Sequence, residues 1–191
     1  MTTPAWPGGA RSAVALAFDL DGPTGALMID GSIWRRPRHF SLGGYGPYRA
    51  LPRILDLLDR FAVPATFFVP ARVVELWPRA CEAIVERGHE VAHHGYDHEC
   101  YWDLTVRQQE DVLGRSQEVF RKYLGAPAVG FRTPSGDWHP QTPRLLLAHG
   151  IVYSSSLRDD ERPYRMPVAG ADRDLVEIPA RVDLDDYAYF A

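Results

Sequence analysis

The chain has 191 residues, of which 46% are hydrophobic and 24% are charged. This composition is typical of one soluble globular domain and excludes a low-complexity or collagen-like protein. With 25 acidic and 21 basic residues, the formal net charge is -4, so we expect neither nucleic acid nor a membrane surface as a partner. Two cysteines cannot build a disulfide framework. Because no signal-peptide pattern or apolar run of about 20 residues is present, the sequence predicts a cytoplasmic protein.

Strand and helix patterns alternate after a Pro/Gly-rich segment, 1–12, which is predicted to be extended or disordered. A continuous apolar run at 13–18 predicts a buried strand that ends at Asp19. The segment 22–46 has no clean periodicity and predicts a long, functional loop. Helical spacing then predicts helices at 51–61, 73–84, 105–124 and 143–149. The remaining predicted strands are 63–69, 90–92, 128–131, 151–154 and 175–178.

This alternation predicts an α/β fold in which helices cover a parallel sheet. A complete (β/α) barrel of eight units takes about 250 residues, whereas the pattern supplies about six strands. We therefore expect either an open doubly wound sheet or a barrel that is short or incomplete. In both folds the carboxyl ends of the strands form the active-site face.

Two carboxylates, Asp19 and Asp21, follow the first predicted strand, in the sequence Phe-Asp-Leu-Asp-Gly. If the strand breaks at Gly22, both side chains can reach a pocket at the end of the sheet. The alternative is an ordinary turn, because Asp-x-Asp-Gly is common in turns. A functional interpretation therefore depends on chemistry in other loops.

A second loop carries His94 and His98, after the predicted strand at 90–92. The i, i+4 spacing places two imidazoles on one side of a helical turn, close enough to share a metal ion. With Asp21 as the third ligand, the site would keep positions open for water, and its donors suit zinc, cobalt, nickel or manganese more than calcium. A solvated helix face is the alternative, but the position after a strand favours a metal site.

A third loop, Gly-Phe-Arg-Thr-Pro-Ser-Gly-Asp-Trp at 130–138, again follows an apolar stretch. Arg132 is suited to pairing with a carboxylate, and the turn around Ser135 offers backbone N–H groups. By itself this loop could be a surface turn with a stacked Trp138. Three loops at the ends of three predicted strands, each with suitable chemistry, favour a single active site.

Together the three loops resemble the polysaccharide deacetylase superfamily, also called the NodB-homology or carbohydrate esterase family 4 group. The resemblance covers 13–190, with Leu20 inserted between the two aspartates of the first motif. The Gly-Tyr-Asp filling of the histidine pair, with 153–157, 177–179 and 185–187, looks more like a subgroup. That subgroup includes peptidoglycan-deacetylase-like proteins and allantoinase- or cyclic-imidase-like hydrolases.

The resemblance implies a distorted, incomplete (β/α) barrel domain at 13–191 that hydrolyses non-peptide C–N bonds. It implies one divalent metal ion as cofactor, zinc being expected and cobalt, nickel or manganese being alternatives. The implied substrate is an N-acetylated carbohydrate such as an oligosaccharide, with a small cyclic amide or imide as the alternative. The subgroup and an exposed strand edge also lead us to expect a homo-oligomer.

The resemblance further implies a role for each matched residue. Asp21, His94 and His98 would bind the metal, Asp19 would be the general base, and Arg132 would position Asp19. The backbone N–H of Ser135 would donate to the oxyanion. The residues implied to line the substrate site are Tyr96, Pro134 and Trp138.

One family feature is missing from this sequence. Family members usually carry a late Leu-x-x-x-His-type motif, whose histidine protonates the leaving amine, and this chain ends first. His139 is the substitute that the chain itself offers as general acid. The alternative is a truncated, non-catalytic barrel that binds only metal or ligand.

Overall fold

A seven-stranded sheet organises the residues that the computed structural model describes, which are 6–25, 31–186 and 189. The strands are β1 Ala17–Asp19, β2 Thr66–Val69, β3 Glu90–His93, β4 Gly130–Phe131, β5 Tyr153–Ser154, β6 Tyr164–Met166 and β7 Leu175–Glu177. Their order across the sheet is β1-β2-β3-β4-β5-β7-β6. All neighbouring pairs are parallel except β6 and β7, which are antiparallel.

The parallel part of the sheet confirms the predicted α/β fold class. Each parallel step needs a crossover connection, and helices supply most of these connections, as the alternating pattern predicts. Within the described residues, β1 and β6 are the edges of the sheet, and no hydrogen bonds join them into a closed barrel.

Six α-helices accompany this sheet in the described part of the chain. They are α1 Pro37–Tyr45, α2 Leu51–Phe61, α3 Ala71–Leu76, α4 Pro78–Glu86, α5 Val106–Leu124 and α6 Thr142–Ala148. The capping box predicted at the start of α5 is confirmed, because Thr105 and Gln108 each accept a hydrogen bond from the other's backbone N–H. Gly125, at φ 81°, ends the helix as predicted.

The helix predicted over 73–84 is instead two helices, α3 and α4, with a break at Trp77. Pro78 has no backbone N–H, and its ring disfavours helical backbone at the preceding residue. Trp77 accordingly has φ -133° and ψ 58°. The prediction was wrong here because the apolar spacing continues across the break.

Other boundaries also differ from the predictions. β1 begins at Ala17 rather than at residue 13, and Val14 is 84% exposed. The predicted loop over 22–46 contains a 3-10 helix, Gly31–Arg35, as well as α1. The short edge strand β6 was not predicted, because three residues carry too little alternation to be recognised.

The ends of the predicted segments are only partly described. From residue 6 onwards the N-terminal segment is described, and Pro7–Gly9 forms a short 3-10 helix. Residues 1–5, 26–30, 187–188 and 190–191, which the predictions also covered, lie outside the described residues. No helix in the described part of the chain is long and apolar enough to cross a membrane.

The two faces of the sheet have different chemistry, because side chains alternate along each strand. His93, at the end of β3, lies on the core face, with ring centroids 5.7 Å from Phe120 of α5 and 5.4 Å from Phe131. On the other face, Glu90 accepts hydrogen bonds from Thr66 at 2.8 Å and Tyr153 at 2.7 Å. The loops that carry the candidate functional residues follow at the carboxyl end of this polar face.

Candidate active site

The three predicted loops meet at one edge of the sheet. Asp19 is the last residue of β1, His94 follows β3, and Arg132 follows β4. Because β1 to β4 are parallel neighbours, their carboxyl ends lie on the same side. The sequence prediction that these loops share one location is therefore confirmed as a matter of geometry.

Asp21, His94 and His98 form a compact cluster of potential metal ligands. One ligand atom from each residue lies within 4.8 Å of the others. His94 Nε2 is 3.6 Å from Asp21 Oδ1, and His98 Nε2 is 3.5 Å from Asp21 Oδ2. These distances are long for hydrogen bonds, but they suit atoms that surround an ion at bond lengths of about 2.0–2.2 Å. No other group of this kind occurs among the residues that the structure describes.

The hydrogen bonding of these residues fits a divalent cation. His94 Nδ1 lies 2.8 Å from the carbonyl oxygen of Arg132, and a carbonyl only accepts, so Nδ1 carries the proton and Nε2 presents its lone pair towards Asp21. Asp21 Oδ1 is buried without a hydrogen-bond partner, which is costly unless a cation satisfies it. Burial lowers the pKa of His98, which favours the neutral imidazole that metals bind.

Asp19 and Arg132 form an ion pair beside this cluster. Arg132 Nη1 donates to Asp19 Oδ1 at 2.7 Å. Ser155 fixes the guanidinium through two hydrogen bonds. Arg132 Nε donates to the carbonyl oxygen of Ser155 at 3.0 Å, and Arg132 Nη2 donates to its hydroxyl at 2.9 Å. The guanidinium also stacks on Phe68, 4.1 Å from the ring centroid. A planar donor held at three points gives the Asp19 carboxylate a defined orientation.

Ser155 is a functional candidate that the sequence reasoning missed. Segment 153–157 was recognised as family-like, but no role was given to any of its residues. The available signal was position, because Ser155 directly follows β5, the neighbour of the strand that precedes Arg132. Glu177 supports the same segment, since its carboxylate accepts from the N–H groups of Ser156 (2.7 Å) and Leu157 (2.8 Å).

The third loop places its predicted residues in different environments. Ser135 is exposed and has φ 60°, and Gly136 follows at φ 80°. A left-handed conformation costs a non-glycine residue roughly 1–2 kcal/mol, and such outliers are common at functional sites. Pro134 is buried against the histidine loop, 3.1 Å from where a Cβ on Gly95 would lie. Trp138 is half-buried and packs against the core.

Tyr96 lies inside the protein rather than on a binding surface. Its side chain is 1% exposed, its hydroxyl donates to Glu75 at 2.5 Å, and it accepts from Arg115 at 2.6 Å. Burial raises the pKa of Tyr96 to about 12, so the hydroxyl keeps its proton. This placement does not support the expected contact between Tyr96 and substrate.

His139, the predicted substitute for the general acid, lies in the turn before α6. Its Nδ1 accepts a hydrogen bond from the N–H of Gln141 at 3.2 Å. Its ring contacts the exposed Trp102 at a centroid distance of 6.4 Å. The turn thus fixes the orientation of the imidazole and leaves its other nitrogen for further contacts.

Helix α1 approaches the turn that carries Asp21 so closely that only glycine fits at position 43. A Cβ on Gly43 would lie 2.4 Å from the nitrogen of Pro23 and 2.6 Å from the carbonyl carbon of Gly22. These are backbone atoms, which cannot rotate away. We therefore expect Gly43→Ala to lower the free energy of unfolding by about 1–3 kcal/mol. Because the turn must shift, we also expect any divalent metal held by the Asp21 cluster, tested here with zinc, to bind about tenfold or more weakly.

Thermal unfolding with and without added zinc would measure both effects. Gly31→Ala is the matched control, since a Cβ there meets no atom of the described residues within 4 Å. Equal zinc-induced stabilisation in the two variants would contradict the proposed coupling between α1 and the Asp21 turn.

Comparison with known proteins identifies the relatives of this chain. A sequence model of the family described as polysaccharide deacetylase matches residues 44–154, more than half of the chain. The peptidoglycan deacetylase of Helicobacter pylori is 34% identical over 195 residues, covering 91% of this chain and 66% of its own length.

Solved structures give the same result. The crystal structure of a protein from Mycobacterium smegmatis described as a polysaccharide deacetylase has a TM-score of 0.91 and 38% identity, covering 97% of this chain and 65% of its own. The allantoinase PuuE has a TM-score of 0.83 and 25% identity, over 97% of this chain and 67% of its own. The chain thus spans about two thirds of the length of each of these relatives. By the match of its sequence and of its fold, this chain belongs to the polysaccharide deacetylase family.

Proposed function

We propose that this chain carries the active site of a metal-dependent hydrolase that removes the acetyl group from an N-acetylated carbohydrate. The observation that carries this proposal is the cluster of Asp21, His94 and His98 next to the Asp19–Arg132 ion pair. A metal-ligand set beside an oriented carboxylate is what amide hydrolysis requires. The peptidoglycan deacetylase of Helicobacter pylori, by its name, performs a reaction of this class.

Separate residues of the chain would bind the metal and transfer the proton. A divalent metal held by Asp21, His94 and His98 would polarise the amide carbonyl and lower the pKa of water. Asp19, oriented by Arg132, accepts the proton of the attacking water at its carboxylate. Attack of this water forms the new C–O bond and places negative charge on the amide oxygen; the charge then returns to the carbonyl, and the C–N bond breaks as the protonated Asp19 gives its proton to the leaving amine. The products are acetate and a free amino sugar.

Ser135 contributes to the same step through its backbone. Its N–H follows Pro134, in a turn fixed by two consecutive left-handed residues. A donor that is already oriented stabilises the developing negative charge on the amide oxygen without reorganising during the reaction. Ser135 is exposed, so a large substrate can approach this turn.

Ring opening of a small cyclic amide or imide is the second candidate function. It breaks the same kind of bond with the same groups, and the structural similarity to an allantoinase supports it. The two functions differ in their product, because deacetylation releases free acetate and ring opening releases no second molecule.

An assay on the metal-loaded protein would separate the candidates. We would compare acetate release from chitooligosaccharide and from peptidoglycan fragments with ring opening of allantoin and succinimide. Acetate from either glycan supports the proposal, and ring opening without acetate supports the second candidate. If folded, metal-loaded protein acts on none of them but calorimetry detects glycan binding, a non-catalytic binding role replaces both.

The identity of the metal and the oligomeric state can each be tested by a separate measurement. We propose zinc as the metal, which elemental analysis of the purified protein would test. We also propose a homo-oligomer, because β1 and β6 are open edges within the described part of the sheet and unpaired edges invite pairing between chains. Light scattering would give the mass, and a monomer would contradict this expectation.

A further inference from the structure

The loop that carries both histidines has an unusual backbone. Gly95 has φ 75°, and His98, which is not a glycine, has φ 62°. A residue such as His98 adopts this conformation only when its surroundings fix it. Two of the three proposed ligands depend on this loop, so the groups that fix it also determine where the imidazoles lie.

Hydrogen bonds to the backbone fix the middle of the loop from two sides. The first residues of α3 donate to its carbonyls, Ala71 N to Gly95 O at 3.0 Å and Arg72 N to Tyr96 O at 2.9 Å. The carboxylate of Glu99 accepts from the N–H groups of Tyr96 and of the residue after it, at 2.9 and 3.0 Å. The backbone between the two histidines therefore has little freedom to move.

The side chain of Asp97 adds a specific bond to α3. Arg72 donates to it twice, from Nε to Oδ1 at 2.8 Å and from Nη2 to Oδ2 at 3.0 Å. Both side chains are about one third exposed. A two-point bond between a guanidinium and a carboxylate fixes direction as well as distance, so it sets the orientation of the residue just before His98.

Tyr96 ties the same loop to α5 as well as to α3. Its hydroxyl bridges Glu75 of α3 and Arg115 of α5. The guanidinium groups of Arg115 and Arg72 lie 3.7 and 4.7 Å from its ring centroid. Loss of the hydroxyl would leave a carboxylate and a guanidinium without this shared partner.

We propose that Tyr96 and Asp97 are positioning residues, which hold His94 and His98 in ligating geometry through Arg72, Glu75 and Arg115. This inference rests on the proposed metal site. Neither side chain belongs to the ligand cluster, and the Tyr96 ring is buried, so the Gly-Tyr-Asp filling of the histidine pair acts on the metal through the backbone and not through the substrate.

Cobalt titration of the purified protein would test this inference, because the visible absorption of cobalt reports both affinity and coordination geometry. Tyr96→Phe and Asp97→Asn remove one bonding function each and keep the side-chain shape. We expect cobalt to bind about 10–100-fold more weakly, which is the usual cost of losing a group that supports a ligand, and the visible band to change. Arg87→Ala is the control, since the Arg87 guanidinium forms ion pairs with Asp56 and Asp59 of α2.

A second pair of variants covers the case in which Tyr96→Phe and Asp97→Asn do not fold. Glu75→Ala removes the acceptor for the Tyr96 hydroxyl, whereas Glu75→Gln keeps an acceptor oxygen. We expect Glu75→Gln to restore most of the cobalt affinity and spectrum that Glu75→Ala loses. A purely structural role would change the thermal unfolding temperature in these variants and leave the cobalt spectrum as in the wild type.

The outcomes separate this inference from the proposed metal site. If the wild-type protein is folded and binds no cobalt, both are overturned. If the wild type binds cobalt, and the folded variants bind it with the same affinity and spectrum, only the positioning role is overturned. Equal cobalt binding by Glu75→Ala and Glu75→Gln would overturn it in the same way.

Discussion

The double variant Asp21→Ala, His94→Ala should lose the metal ion that we expect the wild-type chain to hold. Only His98 would remain of the three clustered ligands, and a single imidazole cannot compete with water and buffer for a divalent ion. The loss in affinity should exceed the roughly 100-fold that removal of a supporting group costs. Elemental analysis after dialysis would measure this as about one metal per chain in the wild type and almost none in the variant.

A matched control keeps the change in composition the same. The double variant Asp111→Ala, His39→Ala also removes one aspartate and one histidine, both of which are exposed and neither of which belongs to the ligand cluster. It should retain the metal content of the wild type. Equal metal in the two double variants, or no metal in folded wild-type protein supplied with zinc or cobalt, would contradict the proposed site.

The parts of the fold that the sequence predicted well are those that local patterns determine. Apolar runs define the central strands, and the boundaries of α5 follow from Thr105, Gln108 and Gly125. The candidate site could be located for the same reason, because Asp19 is the last residue of a strand and His94 and Arg132 directly follow strands. Parallel strands place such residues along one edge, and no knowledge of side-chain packing is needed.

The parts that could not be predicted depend on contacts between distant segments. Tyr96 was assigned to the substrate site on the basis of the family resemblance, and its place between two proposed ligands does not by itself show whether its ring is exposed or buried. Its position is decided by Glu75 and Arg115, which come from two different helices. Ser155 was likewise missed, because its role is to accept hydrogen bonds from the guanidinium of Arg132, which lies 23 residues earlier in the chain.

Asp19→Asn should abolish most of the hydrolytic activity while leaving the metal in place. Asparagine has the same shape, and its oxygen can still accept the 2.7 Å hydrogen bond from Arg132. It cannot take up a proton from water, however, and loss of a general base costs about 10²–10⁴-fold in rate. The measurements are the rate on whichever glycan the wild type deacetylates faster, the metal content and the unfolding temperature.

The combination of these three measurements distinguishes a base from a ligand or a structural residue. Asp111→Asn, an exposed aspartate on α5, is the control and should keep wild-type activity. Activity within tenfold of the wild type in Asp19→Asn would place the base elsewhere and make the Asp19–Arg132 pair structural. Loss of the metal together with the activity would instead show that Asp19 helps to bind the ion, because a pure proton acceptor is not needed to hold it.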